Sequence, residues 1–432
     1  MWSYAVLLLE AVLALAVQIA LSTIPFGIGE PLIRVRFVEV LSHTLMSFVA
    51  IGGVAGIVYV VARYFGKRTQ QGRRLHQAGL LLLVPLIAPA SLYGAMKASL
   101  PERERDPNKR EITLGQGFSW SIFAQGTMDN PTAIAFGPKG ELYVADIGGS
   151  LWVADDKNGD YTADTIRRFA ADFRLLVGLA WHGDELYTAS SGKIEALRDT
   201  NGDGAADQRR IVVEGLPSMV LMPHSNNGLA FGPDGRLYFG VGSTTDGQVE
   251  QDEHAAAILS VNPDGSDLRV FARGLGNSFD VAFNSEGELF AGDNSPHGEG
   301  VDPPDEFNHI VEGGHYGFPY FYGDPPDTGG TCGAIVSFPA HSTPTGATFY
   351  TGDQYPAEYR DSGFTTLWTR GEIARVEVGR AASGTYLGRA STFGHGFLYP
   401  IDVTTDPDGN LYVADFGTSA IYRITYDPNK AW

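Results

Sequence analysis

The chain has 432 residues, with 31 Lys and Arg against 50 Asp and Glu, for a formal net charge of −19. The charge is uneven: residues 1–100 carry eight basic and three acidic side chains, leaving 23 basic and 47 acidic for the rest. A surface that acidic repels phosphate backbones, so nucleic acid is not the expected partner. The single cysteine, Cys332, excludes an internal disulfide framework, an iron–sulfur cluster and a cysteine-rich zinc site within the chain.

Three apolar stretches come first, over residues 4–24, 38–65 and 78–96. Each reaches the ~20 residues a helix needs to cross ~30 Å of hydrocarbon. They predict a multi-pass, three-helix membrane anchor over 1–100. Met1-Trp2-Ser3-Tyr4 lacks the basic start of a cleaved signal peptide. Pro85 and Pro89 predict a kink in the third helix. Lys67, Arg68, Arg73 and Arg74 crowd the loop between the second and third stretches. Basic loops stay cytoplasmic, so the chain beyond the third helix is expected on the periplasmic or extracellular side. Arg34 and Arg36 pull the other way. Glu10, Glu39 and His43 are ionisable groups in or near the bilayer; they are either functional or lie at helix ends reaching for water. Residues 101–112 are charged and contain proline, and read as a linker.

From residue 113 onward the text turns to short alternating strands separated by Gly, Asp and Pro. One phrase recurs: an apolar strand, a tight turn, then a run such as Leu142-Tyr143-Val144-Ala145-Asp146. Copies stand at 133–146, 178–187, 228–239, 280–293 and 402–415, with a degenerate one at 346–369. Several strands repeated at such spacing are the signature of propeller blades, so an all-β six-bladed propeller is expected over 113–432. Residues 118–123 read as one more strand, placed to complete the last blade and close the ring.

Two loops carry oxygen donors at calcium-like spacing: Asp156, Asn158, Asp160 and Asp164, then Asp199, Asn201, Asp203 and Asp207. Arg167 and Arg210 stand where an EF-hand would place its closing Glu, so these are not EF-hands. They read either as calcium loops of structural role or as solvated hairpins with Asx-turns.

Five segments resemble the quinoprotein sugar dehydrogenases of the soluble glucose dehydrogenase and sorbosone dehydrogenase type. They are His224 to Gly235; Ala272-Arg273-Gly274-Leu275-Gly276-Asn277; Asp305 to Pro319, the most specific; Thr343 to Arg370; and Tyr399 to Ile424. The resemblance covers about residues 118–426. It implies pyrroloquinoline quinone (PQQ) and calcium as cofactors. It makes His224 the general base, with a strand-end cap as that residue's other reading. It places Asn277 beside the cofactor, Ser295 and Pro296 at calcium through their carbonyls, Arg370 on cofactor carboxylates and Trp368 as a wall. The other reading of Arg370 is a surface ion pair. Two positions depart from the family's pattern: Gly276 and Tyr399 stand where arginines are usual. The expectation is thus a membrane-anchored, PQQ-dependent protein oxidising an aldose or aldose-derived aldehyde outside the cytoplasm, with a cytochrome or membrane quinone as electron acceptor. The alternatives are a non-catalytic propeller serving a membrane complex and, by fold analogy alone, a calcium-dependent lactonase.

Overall fold

The computed structural model describes residues 105–218, 225–245, 247–296, 302–323 and 330–430. The three expected membrane segments lie outside them, and among the described residues no helix is long and apolar enough to cross a membrane.

Six antiparallel sheets follow one another along the chain. Blade one runs Pro131–Phe136, Leu142–Asp146, Leu151–Asp155, Thr165–Ala170, from the inside outward. Blade two is Gly178–His182, Glu185–Ser190, Lys193–Arg198, Gln208–Glu214, and blade three is Asn226–Phe231, Leu237–Val241, Ala257–Val261, Arg269–Arg273. Blade four is Ser278–Phe283, Leu289–Asp293, Asp305–Ile310, Val336–Phe338. Blade five is Pro344–Phe349, Gly363–Leu367, Glu372–Arg380, Tyr386–His395, with Thr113–Leu114 added at its edge. Blade six joins Pro400–Thr405, Leu411–Asp415 and Ala420–Tyr426 to Phe118–Gln125, which pairs antiparallel with Ala420–Tyr426. The expected closing strand therefore does close the ring, and the first and last parts of the domain share one sheet. Each inner strand packs against the next, and that of blade six packs against that of blade one.

The recurring phrase has a physical reason at each step. Its second strands, such as Leu142–Asp146, Leu237–Val241 and Leu411–Asp415, are buried along their whole length. A strand with both faces buried reads as a nearly continuous apolar run. The hairpin before it needs a residue in the left-handed region, supplied by Gly140 at φ 88° in blade one. The Asp that ends the phrase is a buried acceptor. Asp146 takes the Ser150 N–H at 2.9 Å and the Trp152 indole at 2.6 Å. Asp415 takes the N–H groups of Leu398 and Tyr399 at 2.7 and 3.1 Å.

The packing of the propeller extends back into the stretch that reads as a linker. The Arg110 guanidinium donates to the carbonyls of Gly396 and Phe397, and Ile112 is buried in a core cluster with Phe118. Arg110 and Ile112 thus find partners on and beside blade five.

Candidate functional site at the mouth of the channel

All six inner strands begin at one end of the ring, so the segments that lead into them meet there. The inner strands enclose a channel of about 120 Å³. Two ionisable residues line it, Asp280 and Asp402. Val177 and Phe279, which line the channel, belong to an apolar cluster that also buries Met128 and Ile401 and takes in the half-buried Leu175, Trp368 and Tyr399. The Trp368 and Tyr399 rings stack at 5.1 Å with 22° between planes, and Phe416 packs behind Trp368 at 4.9 Å.

The blade-four side of this mouth is polar. Asn277 is held on three atoms. Its N–H donates to Asp293 Oδ1 at 2.8 Å, its carbonyl accepts Asn294 Nδ2 at 3.1 Å, and its Oδ1 accepts Asn227 Nδ2 at 2.9 Å. Asp293 also takes the Gly276 N–H at 2.9 Å. Burial, with Glu306 and Asp305 nearby, holds the Asp293 carboxyl well above the usual carboxylate range. The Ser295 N–H and hydroxyl are engaged by Asp305 Oδ1 and the Pro304 carbonyl, at 2.9 and 2.6 Å, and Pro296 is buried beside Gly247.

The structure brings Asn277, Ser295 and Pro296 to one side of the mouth and Trp368, Arg370 and Tyr399 to the other. His224 lies outside the described residues. The two Asp-rich loops are not part of this site. Each joins the third and fourth strands of its blade, at the opposite end from the segments leading into the inner strands. Their carboxylates already accept backbone N–H groups: Asp156 from Gly159 and Tyr161, Asp199 from Gly202 and Gly204. Arg167 donates to the Gly204 carbonyl, and Arg210 pairs with Glu185 at 2.7 Å. Among the described residues no group of three or more His, Cys, Asp or Glu is placed to hold a metal ion.

Sequence reasoning missed Asn227, Asp293, Asp280 and Asp402 as site residues. For the channel pair a signal existed. Ala133, Gly178, Gly228 and Gly346 fill the equivalent position in the other four inner strands, so an acid there stands out.

A family model described as a domain of unknown function, DUF7133, matches residues 105–316, and an NHL repeat matches 397–421. A Borreliella burgdorferi protein of unassigned function is 26% identical over 356 residues, 73% of this chain and 91% of that protein. Among solved structures, the holo PQQ domain of a pyranose dehydrogenase from Coprinopsis cinerea superposes with a TM-score of 0.63 at 17% identity, over 74% of this chain and 98% of that one. The PQQ-bound aldose sugar dehydrogenase of Streptomyces coelicolor gives 0.57 at 20%, over 73% and 100%. The shared fold is the six-bladed propeller. A Thermus thermophilus protein assigned as an oxidoreductase (glucose dehydrogenase) gives 0.61 at 24%, over 71% and 100%.

At the three positions where the resemblance implies cofactor contacts, 276, 370 and 399, this chain offers no unengaged guanidinium to a tricarboxylate quinone. Such a group needs cations, and guanidinium forks serve it best. Arg370 spends its Nε and Nη2 on Glu372, both at 3.2 Å, which is the ion-pair alternative for this residue. At 276 a side chain has no room, since a Cβ there would lie 2.5 Å from the Asn294 carbonyl oxygen. At 399 the phenol stacks on Trp368. Residues 219–224, 297–301 and 324–329, outside the described set, contain no Lys or Arg.

Proposed function

We propose that this propeller binds a neutral, hydroxyl-rich ring compound, a sugar or sugar-derived aldehyde, at the channel mouth. It does so as a non-catalytic accessory or interaction subunit, held on the outer side of a membrane by its N-terminal segments. One observation carries the reading: the mouth pairs a flat aromatic stack, Trp368 on Tyr399, with a fixed amide at Asn277, while Arg370 is tied to Glu372. Aromatic faces cover the apolar side of a ring, and a few placed polar groups orient it. Calcium in the two Asp-rich loops would brace hairpins at the far end and take no part in this binding.

The second reading, oxidation of an aldose through PQQ with electrons passing to a cytochrome or membrane quinone, draws on the likeness to PQQ-bound sugar dehydrogenases over more than 70% of the chain. One experiment separates the two. Purified full-length protein is incubated with PQQ and calcium, and its spectrum is taken before and after a panel of aldoses. The expected result is no bound-quinone signature at saturating PQQ, together with sugar-dependent quenching of tryptophan fluorescence that is lost in Trp368→Ala. Reduction of a bound quinone by an aldose would overturn the non-catalytic reading and establish the second.

A further inference from the structure

The geometry points to Asn227 as the positioning residue that turns the Asn277 amide so that its NH₂ end faces the mouth, making Asn277 a dedicated hydrogen-bond donor to an acceptor oxygen of the ligand. This rests on the reading of the mouth as a ligand site.

The two ends of an asparagine amide are nearly the same shape, so what an Asn offers a ligand depends on which end its neighbours consume. Here a backbone carbonyl decides. The Ser278 oxygen can only accept, and Asn227 Nδ2 lies 3.0 Å from it. The same Nδ2 lies 2.9 Å from the near end of the Asn277 amide, which must therefore be the oxygen. With Oδ1 consumed, Nδ2 is what Asn277 has left. It has no partner among the described residues, and the residue keeps 6% of its surface open. The main chain of Asn277 is clamped as well, by Asp293 on its N–H and by Asn294 on its carbonyl. A donor whose every other atom is fixed is preorganised, which is what a binding group needs.

Asn227 commits its Nδ2 to these two acceptors. It is fully buried, and its Oδ1 has no partner among the described residues. An orphaned buried acceptor costs stability, and folds keep such groups mainly where they act. The Asn277 donor takes a carbonyl, ring or hydroxyl oxygen and turns away a ligand ammonium group.

The test is Asn227→Asp, because a carboxylate cannot donate. Asn277 must then turn over, give its NH₂ to the new carboxylate at position 227 and present its oxygen to the mouth. The readout is water exchange of side-chain amides in full-length protein labelled with ¹⁵N-asparagine, with Asn277→Asp assigning the signal. No ligand is present, so failure here is distinct from failure of the binding reading. In the unmutated protein the Asn277 NH₂ is expected to exchange at least ~10-fold faster than that of Asn227, because only the second is bonded inside the protein. In Asn227→Asp the Asn277 NH₂ becomes protected by at least ~10-fold. A slowly exchanging Asn277 amide in the unmutated protein, or one that Asn227→Asp leaves unchanged, overturns the assignment. The first of these needs no variant, so a failure of Asn227→Asp to fold does not shield it.

Discussion

Asp280 and Asp402 occupy the same position in inner strands two blades apart, and both line the central channel. Each carboxylate reaches across to the next blade: Asp280 Oδ2 takes the Ala347 N–H at 2.9 Å, and Asp402 Oδ2 takes the Ile134 N–H at 2.7 Å. The pair thus ties blade four to five and blade six to one. The arrangement also puts two acids in one narrow, poorly solvated space. Burial pushes Asp280 up to about 7, and burial together with the Asp280 charge holds Asp402 well above the usual range.

These shifts fix the sign of a pH effect on stability. A carboxyl whose folded pKa is raised favours the folded state fully below its unfolded pKa, near 3.8, and loses that contribution as pH rises through its folded value, near 7 for Asp280. Asp280→Asn removes the titration while its oxygen can still accept from Ala347. The variant is expected to gain on the unmodified protein between about pH 4 and pH 7, ending roughly 1–3 kcal/mol more stable at pH 8. Denaturant unfolding of both proteins across that range checks it. A stability difference that does not change with pH would show that Asp280 is ionised in the fold.

Gly228 and Gly346 make room for those carboxylates. A Cβ on Gly228 would lie 1.9 Å from Asp280 Oδ1, and one on Gly346 would lie 2.4 Å from Asp402 Oδ1. Gly228→Ala is expected to cost about 1–3 kcal/mol through overpacking. Adding Asp280→Ala should restore more than half of the loss, because the clash is with that side chain. Equal costs in the single and double variants would place the strain in the backbone instead.

Much of this architecture is written locally. The phrase from Leu142 to Asp146 and its copies marks each blade because a strand buried on both faces must be apolar throughout. The closing strand at 118–123 is legible because it alternates and precedes the first copy. What could not be read depends on distant partners. Asn227 matters only because Asn277 stands opposite it on the neighbouring segment, and the sequence places them fifty positions apart. The Asp-rich loops have a recognisable spacing, but which end of the ring they occupy emerges only from the strand order. The meaning of Gly276 is likewise hidden until Asn294 is seen to close over it.

The ring closure should be costly to disturb. Phe118 begins the closing strand, is 2% exposed, and meets the rings of Tyr355, Phe393 and Tyr426 at 4.8, 4.9 and 5.0 Å. Phe118→Ala is expected to destabilise the domain by about 3–5 kcal/mol, the range for a buried phenylalanine that leaves a cavity. Thermal and denaturant melts give the number. A loss below ~1 kcal/mol would mean that the edge is held by its backbone ladder alone.

Three positions at the mouth differ in what keeps a cation from a bound PQQ. Two missing charge-assisted contacts, at ~1.5–3 kcal/mol each, weaken binding by roughly 100-fold or more. Arg370 is present but engaged, so Glu372→Gln should release it and raise PQQ affinity by about 10-fold, the worth of one such contact. Tyr399 is half-buried at the mouth, so Tyr399→Arg should add a similar gain while breaking the stack on Trp368. Gly276→Arg should give no gain and should lower the melting temperature, because its Cβ would meet the Asn294 carbonyl at 2.5 Å. Equilibrium titration of PQQ against the three variants tests this order directly. If Gly276→Arg is the variant that restores binding, the backbone at 276 yields to a side chain, and the departure there is a single lost contact that the fold could take back.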